Sequence, residues 1–214
     1  MKMLIIDDHP LLIAGVRDVL HSLGTVVDCV EAGSAADALQ CLRAESDIDA
    51  VCLDLNLPDE SGLVLLERIR ATREDLPVLV FSAIADAQVV DRALAAGAAG
   101  YVVKSSSRGD LVEAFEAFLA TGRYVAPALR QALETYRSEA ARAPRLTRRQ
   151  REVLYLMARG MSNQEIAAEL ALVESTVKGH VSCLLDLMGA GNRTACVQQA
   201  FRCGLLSPRE ALDI

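Results

Sequence analysis

Short apolar runs alternate with amphipathic stretches through the first 121 residues. The runs at 3–6 (MLII), 26–31 (VVDCVE), 50–53 (AVCL), 78–82 (VLVFS) and 100–103 (GYVV) have the length and content of strands, and those in the middle read as buried on both faces. Between them lie helical patterns. Pro10 suits the first turn of a helix over 10–22. Ser34 and Asp37 form a capping signal for a helix ending near Ala44. Further helices are predicted over 63–71, from a cap at Asp86 to about Ala96, and over 108–121. Five strands alternating with five helices predict an α/β fold, a doubly wound five-stranded parallel sheet of order 2-1-3-4-5.

The pattern then changes. Residues 122–144 read as a linker, in which Tyr124 to Pro127 is an extended entry to a short helix at 128–137. From 145 to 214 everything is helical. Thr147 and Gln150, then Ser162 and Glu165, make capping boxes for helices ending near Arg159 and Leu170. A longer helix spans 174–188, and Asn192 caps a last one reaching about Cys203. Two short helices around a tight turn are a helix-turn-helix signature, which an ordinary helical bundle also satisfies. The expected organisation is therefore 1–121, a linker at 122–144, and an all-α four-helix domain at 145–214.

Charge sharpens that division. Residues 1–144 hold 13 Lys+Arg against 22 Asp+Glu, a net of −9, whereas 145–214 hold 9 against 7, a net of +2. An acidic front and a mildly basic back call for different partners. The six cysteines show no C-x-x-C and no Cys/His ligand spacing, and read as small buried hydrophobes in a reducing compartment. The N-terminal apolar run is too short for a secretion signal, and no run is long enough for a bilayer. The expectation is a soluble, cytoplasmic protein with no membrane association.

Polar residues end the predicted strands. Asp7 and Asp8 follow the first, Asp54 the third, Ser82 the fourth and Lys104 the fifth. Alone, Asp54 is as readily a loop residue capping a turn, since Asn56, Pro58, Asp59, Ser61 and Gly62 follow it. In a doubly wound sheet these strand ends converge on the edge where such sheets bind ligands. Three carboxylates there call for a cation, and oxygen ligands suit Mg²⁺ or Mn²⁺. Asp54 can then attack a phosphoryl group to form an acyl phosphate, with Lys104 and Ser82 as donors to its oxygens. No phosphate-cradling Gly-rich loop is present.

Asp7-Asp8, Asp54, Ser82, Tyr101 and Lys104 match the motif positions of receiver domains. LTRRQREVLYLMARGMSNQEIAAEL, ESTVKGHV and GNRT are similar to the LuxR-type helix-turn-helix. Over nearly its whole length the chain resembles a NarL/LuxR-type two-component response regulator. The resemblance implies phosphorylation of Asp54 by a histidine kinase, and no enzymatic activity beyond the receiver's own phosphoryl transfer and dephosphorylation. It implies Mg²⁺ held by Asp8, Asp54, the Asn56 carbonyl and, through water, Asp7. Ser82 and Lys104 would hold the phosphoryl oxygens. Tyr101 would be the aromatic switch that fills the space Ser82 leaves. The helix over 174–188 would enter the major groove of double-stranded DNA, with Thr176, Lys178, Gly179, His180 and Ser182 on it and Arg193 beyond it. Arg148, Arg149 and Arg151 form a further basic cluster, either a phosphate contact or a solvated face. The last helix would make the homodimer contact on activation.

The chain departs from the pattern in places. Val173 stands where Ser or Thr is usual, and Asp186 and Leu187 where basic residues are common. Gly179 offers no side chain to a base. Those departures keep open an interaction protein of receiver fold whose helix-turn-helix binds DNA weakly or not at all. A phosphatase of the haloacid dehalogenase type fits poorly, because Asp7-Asp8-His9-Pro10 stands where D-x-D-x-[TV] belongs. A ligand-sensing LuxR regulator would lack the ordered acid pair, Asp54 and Lys104.

Overall fold

The computed structural model describes residues 1–24 and 27–207. The chain divides into two compact units, Met1–Leu133 and Glu134–Ile214. In the first, strands β1 (Lys2–Ile6), β2 (Asp28–Ala32), β3 (Ala50–Leu53), β4 (Val78–Ser82) and β5 (Gly100–Val103) alternate with helices α1 (Pro10–Ser22), α2 (Ala35–Ala44), α3 (Gly62–Thr72), α4 (Ala87–Ala95) and α5 (Arg108–Thr121). All strand pairs are parallel, in the order β2-β1-β3-β4-β5 that was expected, so β1 and β3 flank the switch point. Val26, the first residue of the expected second strand, lies outside the described residues.

The alternation of side chains explains why the strands read as continuous apolar runs. Leu4, Ile6, Val51, Leu53, Val78 and Val80 point into one core, completed by α2, α3 and α4. Met3, Ile5, Cys52, Leu79, Phe81 and Val102 point into the other, completed by Val16 and Leu20 of α1 and by Phe115 and Phe118 of α5. With both faces covered, neither set of positions can be polar.

A sixth strand extends the five expected ones. β6 (Tyr124–Val125) pairs in parallel with β5, Gly100 against Tyr124 and Tyr101 against Val125. Gly100 permits this: a Cβ there would lie 2.3 Å from the Tyr124 carbonyl oxygen and 2.7 Å from Leu79. The helix expected at 128–137 is longer, α6 (Pro127–Ala141), and its Leu129 and Leu133 are buried in the first unit's core. Part of the stretch read as a linker is thus packed structure, because two leucines one helical turn apart make a buried stripe.

The second unit is all-α. Its helices α7 (Arg148–Ala158), α8 (Asn163–Glu169), α9 (Glu174–Met188) and α10 (Arg193–Arg202) surround Val153, Leu154, Ile166, Val177, Leu184, Cys196 and Ala200. Thr147 and Ser162 form complete capping boxes, and the Asn192 side chain accepts from the Ala195 N–H. Residues 208–214, the end of the expected domain, lie outside the described residues. No helix among the described residues is long and apolar enough to cross a membrane.

Candidate functional site

The polar ends of β1, β3, β4 and β5 meet at one edge of the sheet. Asp7 and Asp54 are both 3 % exposed, a depth at which carboxylates require partners. Lys104 supplies one. Its Nζ donates to Asp54 Oδ2 at 2.8 Å and lies 2.7 Å from Asp7 Oδ2, the latter an ion pair without hydrogen-bond alignment. The ammonium also lies 5.8 Å from the centre of the Phe81 ring. Burial pushes the Lys104 pKa down, but the two carboxylates outweigh it and hold it above its ordinary value. The other oxygen of Asp54, Oδ1, is buried without a hydrogen-bond partner.

Asp8 and His9 complete the acidic pocket. Ligand atoms of Asp7, Asp8, His9 and Asp54 all fall within 4.8 Å of one another. His9 Nδ1 is 2.7 Å from Asp8 Oδ1 and 3.1 Å from Asp7 Oδ1, and the His9 backbone N–H donates to Asp7 Oδ1 at 2.9 Å. Sequence reasoning gave His9 no role. Its only sequence signal is adjacency to Asp7-Asp8.

The loop after Asp54 is tightly built. Asn56, which is exposed, bridges Ser61. The Gly62 N–H donates to the Leu55 carbonyl at 2.9 Å, and a Cβ on Gly62 would lie 2.3 Å from the Asp54 carbonyl oxygen. Only glycine lets α3 start this close to the back of the acidic residue. Asp59 fastens the same loop: its carboxylate accepts from the N–H groups of Ala35 and Ala36 at 2.9 and 3.0 Å, at the N-terminus of α2. Those two bonds depress the Asp59 pKa. In sequence Asp59 is one turn former among several, and nothing there signals a helix 24 residues earlier.

Ser82 ends β4, fully buried, and accepts weakly from the Ile84 N–H at 3.4 Å. Tyr101 lies inward beside it, its hydroxyl donating to the Ile84 carbonyl at 2.7 Å. Burial pushes the phenol up to about 12, and the Ser82 hydroxyl acts the other way. Ser82 and Tyr101 are therefore neighbours.

In the second unit, α9 presents one face to the core through Val177 and Leu184. Thr176, Lys178, Gly179 and Ser182 are exposed, and His180 is half-buried. Lys178 Nζ lies 2.8 Å from Glu174 Oε1. Val173, the N-cap, makes no side-chain cap bond and is 66 % exposed. Arg193 is placed differently from the rest. Its guanidinium donates to the Met161 carbonyl and reaches Asn163 Oδ1 at 3.5 Å, and burial lowers its pKa. Arg149 likewise donates to Glu152 and to the Leu170 carbonyl. These two arginines hold helices together, a use that the basic cluster did not reveal because the acceptors are distant carbonyls.

A doubly wound unit with this acidic edge, joined to a helix-turn-helix unit, defines a class of two-part signalling proteins. Residues 3–116 match the response regulator receiver domain family, and residues 144–200 match the luxR family of bacterial regulatory proteins. The chain belongs to the response regulators of NarL/LuxR type. It is 38 % identical over 209 residues to the probable transcriptional regulatory protein NarL of Mycobacterium tuberculosis, covering 96 % of both chains. It is 36 % identical over 211 residues to the glycerol metabolism activator of Pseudomonas putida, covering 93 % of this chain and 94 % of the relative. The RcsB response regulator of Salmonella typhimurium has the same fold, with a TM-score of 0.72 at 24 % identity over 92 % of this chain and 98 % of that one.

Proposed function

We propose that this response regulator is phosphorylated on Asp54 by a histidine kinase in the cytoplasm. In that reading phosphorylation favours a homodimer that binds double-stranded DNA and regulates transcription. The observation that carries it is the buried Asp54, one oxygen clasped by Lys104 and the other without a donor. A carboxylate so placed is held at a point where a second, cationic ligand completes its environment. The receiver role is assigned to 1–121, the DNA role to 145–214, and the joining role to 122–144.

The residues present fit a hard divalent cation. Asp8, Asp54 and the Asn56 carbonyl would hold Mg²⁺ or Mn²⁺, with Asp7 through water. His9 adds a nitrogen to that oxygen set. When bound, the cation supplies charge neutralisation among phosphoryl and carboxylate oxygens. The chain's own residues do the rest. An Asp54 oxygen attacks phosphorus, the donor's P–N bond breaks, and the leaving imidazole nitrogen keeps the electron pair and takes a proton. Lys104, already tethered to Asp7, stays at the site to receive a phosphoryl oxygen. The Ser82 hydroxyl donates to another, and Tyr101 keeps the space behind it filled.

In the DNA-binding role α9 enters the major groove, with Thr176, Lys178, Gly179, His180 and Ser182 facing the duplex. Arg193 acts there by holding the α7–α8 turn rather than by reaching a phosphate. α10 makes the dimer contact. The pairing of Lys178 with Glu174 favours a second reading, an interaction protein with weak DNA affinity. Surface pairs of this kind are worth only about 0.3–0.5 kcal/mol, so a phosphate readily replaces the glutamate.

Intact-mass measurement after incubation with a phosphohistidine or small phosphodonor tests the receiver half. Wild type should gain one phosphoryl group with Mg²⁺ present and little in excess chelator. A phosphorylated Asp54→Ala protein would refute the assignment.

A further inference from the structure

The first unit carries a second opening, away from the acidic edge, of about 790 Å³. It is lined by Arg70, Arg123 and Arg130, with Glu74 and the backbone stretch at Tyr124 and Val125. In an acidic unit this is a local reversal of charge: residues 1–133 hold 11 Lys+Arg against 20 Asp+Glu. Three guanidiniums against one carboxylate is the arrangement that selects an anion.

The guanidiniums are oriented and only partly used. Arg70 donates from Nε to the Gly97 carbonyl at 2.8 Å and from Nη1 to the Glu74 carbonyl. Arg130 donates from Nε to the Val125 carbonyl at 2.8 Å. Fixing Nε leaves the outer N–H groups of Arg130 directed away from that bond. Among the described residues Arg123 makes no side-chain hydrogen bond and no ion pair. Burial lowers the Arg70 pKa, and the nearby Asp75 and Glu74 carboxylates offset only part of that. Leu94 and Leu133 add an apolar wall.

We propose that this opening binds a small organic polyanion, a molecule with two or more phosphate groups and an apolar or aromatic body. The volume is that of a typical small-ligand site. Three forked donors match phosphate oxygens in pairs, and Leu94 and Leu133 accept the body of the molecule. Such a ligand ties Arg70 of α3 to Arg123, which precedes β6, and to Arg130 of α6. It therefore fastens the edge strand and the start of α6 onto the sheet, at the segment that leads into the helical unit. The site is independent of Asp54 and its chemistry.

The test uses the full chain in excess chelator, so that the acidic edge is not loaded with metal. ATP, pyrophosphate and inorganic phosphate are titrated while backbone amide shifts are followed. ATP is expected to move the amides of Gly97, Ala98, Ala99 and Val125 and to bind at least tenfold tighter than inorganic phosphate. Pyrophosphate should fall between them. Arg123→Gln and Arg130→Gln together should weaken ATP at least about tenfold, as expected for losing charged hydrogen bonds. Arg70 is left intact because it also holds the Gly97 loop. An Asp54→Ala chain should bind ATP unchanged. Equal affinity for all three anions, shifts confined to the Lys104 region, or full binding by the double variant would each overturn the proposal.

Discussion

The two helix starts that matter most, α3 behind Asp54 and α9 on the helical unit, treat charge and glycine in opposite ways. At α3 the charged groups are buried and answered by named partners, and Gly62 is demanded by a carbonyl that a Cβ would strike. At α9 the charged pair Lys178–Glu174 is on the surface, the N-cap is a valine, and a Cβ on Gly179 would meet nothing within 4 Å. The first region is built from within: packing dictates its residues. At the second, nothing among the described residues lies within 4 Å of a Cβ at Gly179, so packing does not dictate a glycine in mid-helix. Glycine there costs about 0.5–1 kcal/mol relative to alanine.

The largest expected effect sharpens the first half of that contrast. Gly62→Ala should destabilise the receiver unit by about 3 kcal/mol, because the colliding atoms are backbone and cannot swing aside. Chemical denaturation of the two chains measures it; a loss under 1 kcal/mol would show that the loop relaxes freely and that Gly62 is not a constraint.

On α9 the affected property should be binding rather than folding. Lys178→Ala should leave thermal stability nearly unchanged and weaken DNA about tenfold or more, as the helix has no other Lys or Arg. Because α9 holds one Lys and no Arg, the salt dependence should be shallow, with a slope near −0.9 per phosphate contact. A salt titration on a selected site, about 10 bp between half-site centres, checks both. A steep slope unaffected by the substitution would move the DNA contacts elsewhere.

Gly179→Ala breaks the contrast most directly. It should stabilise the helical unit by about 0.5–1 kcal/mol, and weaken DNA binding if the bare backbone is approached by the duplex. A gain in stability with unchanged affinity would assign the glycine no role in recognition.

The buried side of the contrast also shows in the alkaline pH dependence. Tyr101 has a folded-state pKa raised to about 12 from an ordinary 10, so its stabilising contribution is intact below pH 10 and is lost as pH rises toward 12. Lys104, also raised, loses its contribution above its ordinary 10.5. Thermal midpoints should therefore fall between pH 10 and 12, and Tyr101→Phe should flatten part of that fall. It should also cost about 1 kcal/mol at neutral pH, through the lost bond to the Ile84 carbonyl. An unchanged alkaline profile in the variant would show that Tyr101 does not titrate in this window.

What the sequence determined by itself was whatever depends on local pattern. Buried strands between two helical layers must be apolar throughout, so β1, β3, β4 and β5 were legible, and with them the strand ends carrying Asp7, Asp54, Ser82 and Lys104. Ser34, Asp86, Thr147, Ser162 and Asn192 marked helix starts because a cap bond spans only two or three residues. The tertiary structure decided what depends on groups far apart along the chain. β6 is two residues long, too short for any periodicity, and forms only because Gly100 admits the Tyr124 carbonyl. Asp59 caps a helix that precedes it by 24 residues, and Arg193 spends its charge on a carbonyl 32 residues away. Arg70, Arg123 and Arg130 form one cation-lined opening only after the fold has brought α3, β6 and α6 together. Long-range hydrogen bonds and charge pairs leave no spacing signal, because their partners are chosen by the packing and not by the order of residues.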